Sequence, residues 1–134
     1  MRGAADGAGQ IAAFNLYGLL AGRDAFLAAT GALAARVAAE GHPGILHYRF
    51  FAGDDGREGA ATVIYADAAA WIGHHEIAMG WPEMRAMHAV ARLREITLMG
   101  PVTAEITGWL ARSGLTATLR LFPAAGGGFR RAGA

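Results

Sequence analysis

The sequence predicts a single α+β domain with the element order β-α-β-β-α-β, followed by one further helix and strand. The chain has 134 residues and is 54% hydrophobic, which is enough for one core without disulfides or a metal. Segments rich in β-branched and aromatic residues alternate with segments whose apolar residues recur every three or four positions. This order is the ferredoxin-like plan, here with a C-terminal extension.

The first half of the chain contains the predicted elements β-α-β-β. An apolar run from Ile11 to Leu20 predicts a strand buried on both faces. A helix follows, with Asp24 placed to cap or charge its start, and Gly41 with Pro43 ends it. Segments 45–51 and 61–66 are predicted strands that pair antiparallel, because the turn between them supplies glycines. The inward helix positions are Phe26, Ala29, Thr30, Leu33 and Val37.

The second half begins with Asp67, a good N-cap for a helix over 68–79. Pro82 favours the first turn of a short helix over 81–90, and 93–99 is a strand stopped by Gly100 and Pro101. The extension, 101–123, has a helix over 103–112 and a strand over 115–122 that joins a sheet edge, either in its own subunit or in the partner. The inward positions of the first helix are Ala68, Trp71, Ile72, His75 and Met79, and those of the last are Ile106, Trp109 and Leu110.

Domain organisation follows from these elements. We expect a ferredoxin-like domain over 11–100, its extension over 101–123, and flexible tails at 1–10 and 124–134, where glycine and arginine accumulate. The predicted strands are apolar on both sides, yet the helices of this plan cover only one face of the sheet. We therefore expect a homodimer that buries the second face.

Composition excludes several classes of function. Twelve basic residues, all arginine, balance 11 acidic ones to a net charge of +1, so nucleic acid and anionic membranes are not expected partners. The chain has no cysteine, which excludes disulfides, thiolate metal sites and cysteine nucleophiles. The apolar stretch 11–22 is shorter than the ~20 residues of a membrane span and lacks the pattern of a signal peptide. We expect a cytoplasmic protein.

Three motifs carry a resemblance to a known family. They are 44–50 (Gly-Ile-Leu-His-Tyr-Arg-Phe), 63–67 (Val-Ile-Tyr-Ala-Asp), and Trp71 with the pair His74 and His75. Over 11–100 the chain resembles the antibiotic-biosynthesis-monooxygenase-like family of dimeric α+β barrels, and 126–130 resembles a branch with a C-terminal extension. The resemblance implies a small cavity between helices and sheet. Some members oxidise phenols or quinols with dioxygen and without metal or flavin, so no cofactor is expected.

The resemblance directs attention to residues that could bind a small aromatic ligand. Trp71 and His75 are four residues apart and share a helix face, which suits a ring wall beside a proton acceptor, and His75 is the predicted catalytic residue. His74 is rotated by about 100° from His75, toward the border of the stripe, where we expect a surface role. The predicted substrate-binding residues are Trp71, Trp81, Tyr17, Asn15, His74 and His88.

Metal and haem are alternative interpretations. The run His74-His75-Glu76 invites a metal site that His88 or His47 could complete, but adjacent helical residues diverge and no metal is predicted. One branch of the family degrades haem with an Asn, a Trp and a later His, the types found at Asn15, Trp71 and His88.

Residues His47 and Arg49 share one face of the second predicted strand. They either bind an acidic substrate group or pair with a carboxylate at the dimer interface, and we favour the interface.

The leading functional hypothesis is a cofactor-independent monooxygenase of secondary metabolism acting on a quinol, an anthrone or a polyketide-like aromatic. A polyketide cyclase is a related alternative. Because the sequence has no strong catalytic motif, a non-catalytic dimeric ligand-binding or accessory protein is the rival hypothesis from another class.

Overall fold

The computed structural model describes residues 9–132, and this part of the chain is α+β, as predicted. The predicted tail residues 1–8 and 133–134 lie outside the described residues. One five-stranded mixed sheet packs against four helices. The elements are β1 (Ile11–Leu19), α1 (Gly22–Glu40), β2 (Ile45–Ala52), β3 (Glu58–Tyr65), α2 (Ala68–Ala78), α3 (Pro82–Val90), β4 (Ala91–Met99), α4 (Ala104–Arg112) and β5 (Thr118–Phe122).

The strand order β2-β3-β1-β4-β5 places β1 in the middle of the sheet. The first four strands pair antiparallel, which confirms the predicted hairpin between β2 and β3 and the ferredoxin-like plan. β5 joins the β4 edge in parallel, with Ile96 opposite Leu119, so the extension completes the sheet of its own chain. The central position of β1 presents the side chains of one of its faces, among them Ala13 and Tyr17, to the helices.

Local capping explains where two helices begin. The Asp67 carboxylate accepts a hydrogen bond from the Ala70 N–H at 2.8 Å, which confirms the predicted N-cap of α2. Thr103 accepts from the Ile106 N–H at 3.3 Å at the start of α4. In α1 the N-cap position is Ala21, which has no side-chain hydrogen bond; Asp24 therefore contributes charge to the first turn and does not cap it.

Two hydrophobic clusters fill the space between sheet and helices. One joins Phe26 and Leu33 of α1 to Tyr17 of β1 and to the two methionines of α3, Met84 and Met87. The other joins α2 and α4 to the far end of the sheet, through residues that include Trp71, Ile106, Leu110, Ile11, Val63 and Leu98. The inward positions predicted for α4 are confirmed for Ile106 and Leu110, which are buried, while Trp109 is half-buried.

The rotation of α2 differs from the prediction by about one residue. Its buried positions are Ala70, Trp71, His74 and Ala78, so the predicted surface position of His74 is wrong. The cause is close packing by small residues. A Cβ added at Gly44 would clash with the Cβ of Ala70, and one added at Gly73 would clash with the His42 ring. These close contacts determine which face of α2 points toward the core. The larger side chains Ile72 and Met79 do not determine it.

The sheet face opposite the helices carries exposed apolar side chains. Phe14 is 36% exposed, Phe51 49%, Met99 40% and Phe122 48%. Side chains alternate between the two faces along a strand, and in β1 the exposed Phe14 follows the buried Ala13. Within its own chain β1 is therefore buried on one face only, whereas burial on both faces was predicted. His47 hydrogen-bonds Thr62 on this face at 2.8 Å. We call this surface the open sheet face.

No helix within residues 9–132 is both long and apolar enough to cross a bilayer.

Candidate functional site

A cavity of about 130 Å³ lies between the two hydrophobic clusters, enclosed by the sheet on one side and by α2, α3 and α4 on the other. We call it the inner cavity. Its floor comes from four adjacent strands, and its walls include two indole rings, three methionines and three histidines. An apolar protein cavity of roughly 150 Å³ can hold one benzene molecule. The inner cavity therefore has the size of a single aromatic ring.

His75 is held in one orientation by its own helix. Its Nδ1–H donates to the Trp71 carbonyl oxygen at 2.7 Å, and because a carbonyl can only accept, Nδ1 carries the proton. The remaining nitrogen, Nε2, has a lone pair and no hydrogen-bond partner among residues 9–132. Burial lowers the pKa of His75 to about 4, so the ring is neutral at pH 7. His75 is thus a neutral proton acceptor with a fixed tautomer.

Two indole rings surround His75. The Trp71 ring stacks on the imidazole with centroids 3.8 Å apart and planes 24° apart. The Trp109 ring stands edge-on to the imidazole, with centroids 5.0 Å apart, and edge-on to Trp71 at 5.4 Å. Aromatic rings in such contacts hold one another in place and exclude water. A ligand ring that enters beside His75 would therefore meet apolar walls and one nitrogen acceptor.

His74 faces the same cavity from the next position on α2. It is only 3% exposed, and its Nδ1 is buried with no hydrogen-bond partner among the described residues. Its ring centroid lies 5.5 Å from that of Tyr48 and 6.1 Å from that of Tyr65. Burial, reinforced by the neighbouring imidazoles of His75 and His42, lowers its pKa to about 3. His74 is therefore a second neutral polar group in the cavity wall.

Three tyrosines come from three adjacent strands. Tyr17 of β1, Tyr48 of β2 and Tyr65 of β3 all line the inner cavity. Burial raises the pKa of Tyr17 to about 12 and raises the pKa of the other two further, so all three hydroxyls stay protonated at neutral pH. Beside them, Asn15 Oδ1 is buried without a hydrogen-bond partner among the described residues. The floor thus offers hydroxyl groups and one amide acceptor to a ligand.

The structure brings together six of the seven residues predicted to bind or act on substrate. Those that line the inner cavity are Asn15, Tyr17, Trp71, His74, His75 and His88, the last of them exposed at the rim. Trp81 does not line it. Its ring packs against the guanidinium of Arg36, whose carbon lies 4.3 Å from the ring centroid, and Arg36 pairs with Glu83 at 2.9 Å. Trp81 therefore belongs to the contact between α1 and α3.

Sequence reasoning missed Tyr48 and Tyr65 as site residues and placed Trp109 in the core only. A signal for the tyrosines exists in the sequence. Tyr48 and Phe50 alternate along β2, and Val63 and Tyr65 alternate along β3, which is the spacing of one strand face. Trp109 has no comparable signal, because its place beside His75 depends on how α4 folds back onto α2.

Metal and haem find no support in this site. Within residues 9–132, no group of three or more His, Asp or Glu side chains is arranged to hold a metal ion. A haem macrocycle of four pyrrole rings is too large for a cavity of about 130 Å³. His47 and Arg49, considered as an acid-binding pair, lie on strand β2 but do not line the inner cavity. His47 lines a separate groove near His42 and Pro43.

Comparison with known proteins finds solved structures with a similar fold. No protein-family model matches the chain, and no curated protein matches it. Among solved structures, MupZ from Pseudomonas fluorescens is similar, with TM-score 0.66 and 20% identity over 93% of this chain and 97% of MupZ. A variant of SnoaB, a cofactor-independent oxygenase from Streptomyces nogalater, has TM-score 0.59 and 18% identity over 69% of this chain and 92% of SnoaB. At these identities the likeness confirms the predicted fold.

Proposed function

We propose that this protein is a cofactor-independent oxygenase that acts on a small phenol or quinol in the inner cavity. The observation that carries the proposal is His75, a neutral imidazole whose Nδ1 is committed to the Trp71 carbonyl and whose Nε2 is free, between two indole rings. The fold shared with SnoaB, itself a cofactor-independent oxygenase, supports the same reaction type. The single-ring volume of the cavity favours a monocyclic substrate over an anthrone of three fused rings.

The chemistry needs little from the protein beyond a dry site and a base. A phenol bound beside His75 can transfer its proton to Nε2, giving a phenolate and an imidazolium. Although burial lowers the pKa of His75, the new anion beside it favours the protonated ring, because opposite charges in contact stabilise each other. The apolar walls keep water from solvating the phenolate, which leaves it electron-rich. General-base assistance of this kind typically contributes 10²- to 10⁴-fold.

The overall reaction balances without any added reductant. For a hydroquinone, one atom of dioxygen becomes bonded to a ring carbon and the other leaves as water. The four electrons come from the ring: two from its conversion to a quinone and two from hydroxylation of a ring C–H bond. The product is a hydroxyquinone. No flavin, metal or second substrate is required in this scheme, because the substrate itself reduces oxygen.

We further propose that the protein is a homodimer joined through the open sheet face. Phe14, Met99 and Phe122 lie on adjacent strands of that face, and large exposed apolar side chains grouped in this way are typical of an interface. Arg120 and Glu95, whose charged atoms are 3.9 Å apart, lie on the same face and would be part of a mixed interface. The partner would cover the side of the sheet that the helices leave bare.

Oxygen uptake tests the proposed reaction. Protein treated with a chelator and freed of flavin is supplied with methylhydroquinone in air-saturated buffer at pH 7.5. We expect protein-dependent uptake of one dioxygen per quinol and a hydroxyquinone product. Formation of quinone with hydrogen peroxide at the rate of the protein-free control would contradict the proposal, because that is uncatalysed autoxidation.

A non-catalytic ligand-binding protein is the second candidate. It is favoured by the lining of the inner cavity, whose described residues include no Asp, Glu or Arg. Such a lining binds an aromatic ring through apolar and hydrogen-bonding contacts alone. Tight binding of methylhydroquinone without oxygen uptake would establish this second function instead.

A further inference from the structure

A second apolar opening adjoins the inner cavity. It is a groove of about 200 Å³ between α4 and β5, and we call it the tail groove. Ile96 of β4, Leu110 of α4 and Leu115 line both the groove and the inner cavity. The two spaces therefore adjoin each other at these three side chains.

The tail groove is apolar along its length. Beyond the three shared residues, Ala117 and Leu119 line its β5 side, and Thr107 is a polar residue on its α4 side. Leu115 is 42% exposed and Leu119 is 39% exposed, although Leu119 lies opposite the buried Ile96 on the helix-facing side of the sheet. Burial of these side chains by a ligand would remove apolar surface from water.

The groove exists because α4 does not lie over β5. The main neighbour of α4 is α2, against which it packs Trp109 on Trp71. β5 is held by its backbone pairing with β4, and all five of its residues are exposed in the chain alone. The extension thus closes the inner cavity with Trp109 and leaves an apolar slot beside it.

We propose that the ligand consists of a single aromatic ring with an apolar tail, and that the tail lies in the tail groove. This inference rests on the proposed function, since it takes the ring to lie in the inner cavity beside His75. A cavity of about 130 Å³ accommodates the ring alone, whereas the adjoining groove of about 200 Å³ accommodates an alkyl or acyl chain. The substrate class is therefore an alkyl- or acyl-substituted phenol or hydroquinone.

Chain length gives the test. Dissociation constants of 4-methylphenol and 4-pentylphenol are measured by calorimetry with the full-length protein. Each methylene that becomes fully buried lowers the Kd about fourfold. Because the groove is open on one side, we expect 4-pentylphenol to bind at least about tenfold more tightly than 4-methylphenol. Equal affinities of the two phenols would overturn the proposal.

Two matched variants locate the tail. Ala117→Phe fills the groove, and we expect the ratio of the two dissociation constants to fall to about 1. Ala86→Phe adds the same ring at an exposed position of α3 that lines none of the cavities, and it should keep the ratio of the wild type. A ratio in Ala117→Phe equal to that of Ala86→Phe would place the tail elsewhere and overturn the proposal. A folding defect in Ala117→Phe does not remove the test, because the wild-type series stands alone.

The outcomes separate this inference from the proposed function. A strong dependence on chain length without oxygen uptake would support the tail groove and contradict the oxygenase. Oxygen uptake with methylhydroquinone, combined with no dependence on chain length, would support the oxygenase and overturn the tail groove.

Discussion

The polar residues of the inner cavity are all uncharged at neutral pH, and the fold produces this state by burial. His74, His75 and the three tyrosines keep their neutral forms because an imidazolium or phenolate would lose its hydration there. His75 differs from His74 in one respect that matters for catalysis. Its Nδ1 is bonded to a carbonyl, so its free nitrogen is the acceptor, whereas His74 Nδ1 has no described partner.

Replacing His75 tests the proton acceptor directly. His75→Ala should lower kcat/KM for methylhydroquinone oxidation about 10²-fold or more, because general-base contributions have that size. His47→Ala is the control. It removes an imidazole from the opposite side of the sheet, outside the inner cavity, and should retain activity within about twofold. If both variants lost activity equally, or if both kept full activity, His75 would have no part in the mechanism.

Burial of His74 predicts a dependence of stability on pH. Its pKa is about 3 in the folded chain, below the ordinary 6.5, so at pH 5 the unfolded chain binds a proton that the folded chain does not. The contribution of His74 to the unfolding free energy is therefore highest above pH 6.5, and it is lost as the pH falls toward 3. From pH 7.5 to 5, His74 should account for about 2 kcal/mol of lost unfolding free energy, at 1.36 kcal/mol per pH unit.

The variant His74→Gln isolates that contribution, because glutamine carries no charge at either pH. Urea unfolding at pH 7.5 and pH 5 should show a loss about 2 kcal/mol smaller in the variant than in the wild type. An identical loss in both proteins would show that His74 is not buried in its neutral form.

At the scale of elements, the C-terminal extension is a structural part of the site. Trp109 packs against Trp71 and His75 and so attaches α4 to α2. Trp109→Ala should lower the unfolding free energy by about 3 kcal/mol, as truncation of a packed tryptophan does. Phe129→Ala is the control, since Phe129 is 84% exposed and should change stability by less than about 0.5 kcal/mol. Unchanged thermal unfolding of Trp109→Ala would show that α4 is detached.

Hydrogen exchange tests the placement of β5. Its pairing with β4 runs from Thr118, opposite Glu95, to Phe122, opposite Met99. Amides of 118–122 that donate to β4 should exchange more slowly than those of 124–132, where the structure has no helix or strand. Equally fast exchange of both segments would mean that β5 does not pair in solution.

Element order, the antiparallel pairing of β2 with β3 and the Asp67 cap were all predictable, since each depends on local patterns of apolar spacing and turn residues. The phase of α2 was not. It is fixed by Ala70 against Gly44 and by Gly73 against His42, contacts between small residues that hydrophobic spacing does not weigh. For the same reason His74 was predicted at the surface. Trp81 was assigned to the site because the sequence does not distinguish a tryptophan that packs between two helices from one that lines a cavity.

At the scale of the whole molecule, the open sheet face predicts a dimer. Light scattering at micromolar concentration should give twice the subunit mass of 13.9 kDa, with an interface that exceeds ~1,600 Å² in total. Phe14→Glu places a charge on that face and should produce monomers, whereas Leu27→Glu, on an exposed position of α1, should leave the dimer intact. A wild-type mass of one subunit would reject the dimer.

The position of a bound ligand tests whether His75 is the proton acceptor of the inner cavity. In a crystal structure of the protein with 4-pentylphenol, we expect the ring between Trp71 and the sheet, with its hydroxyl oxygen 2.6–3.2 Å from His75 Nε2, the range of a catalytic hydrogen bond. A ring bound in the groove near His42 and Pro43, or a hydroxyl directed away from His75, would show that His75 does not accept the proton.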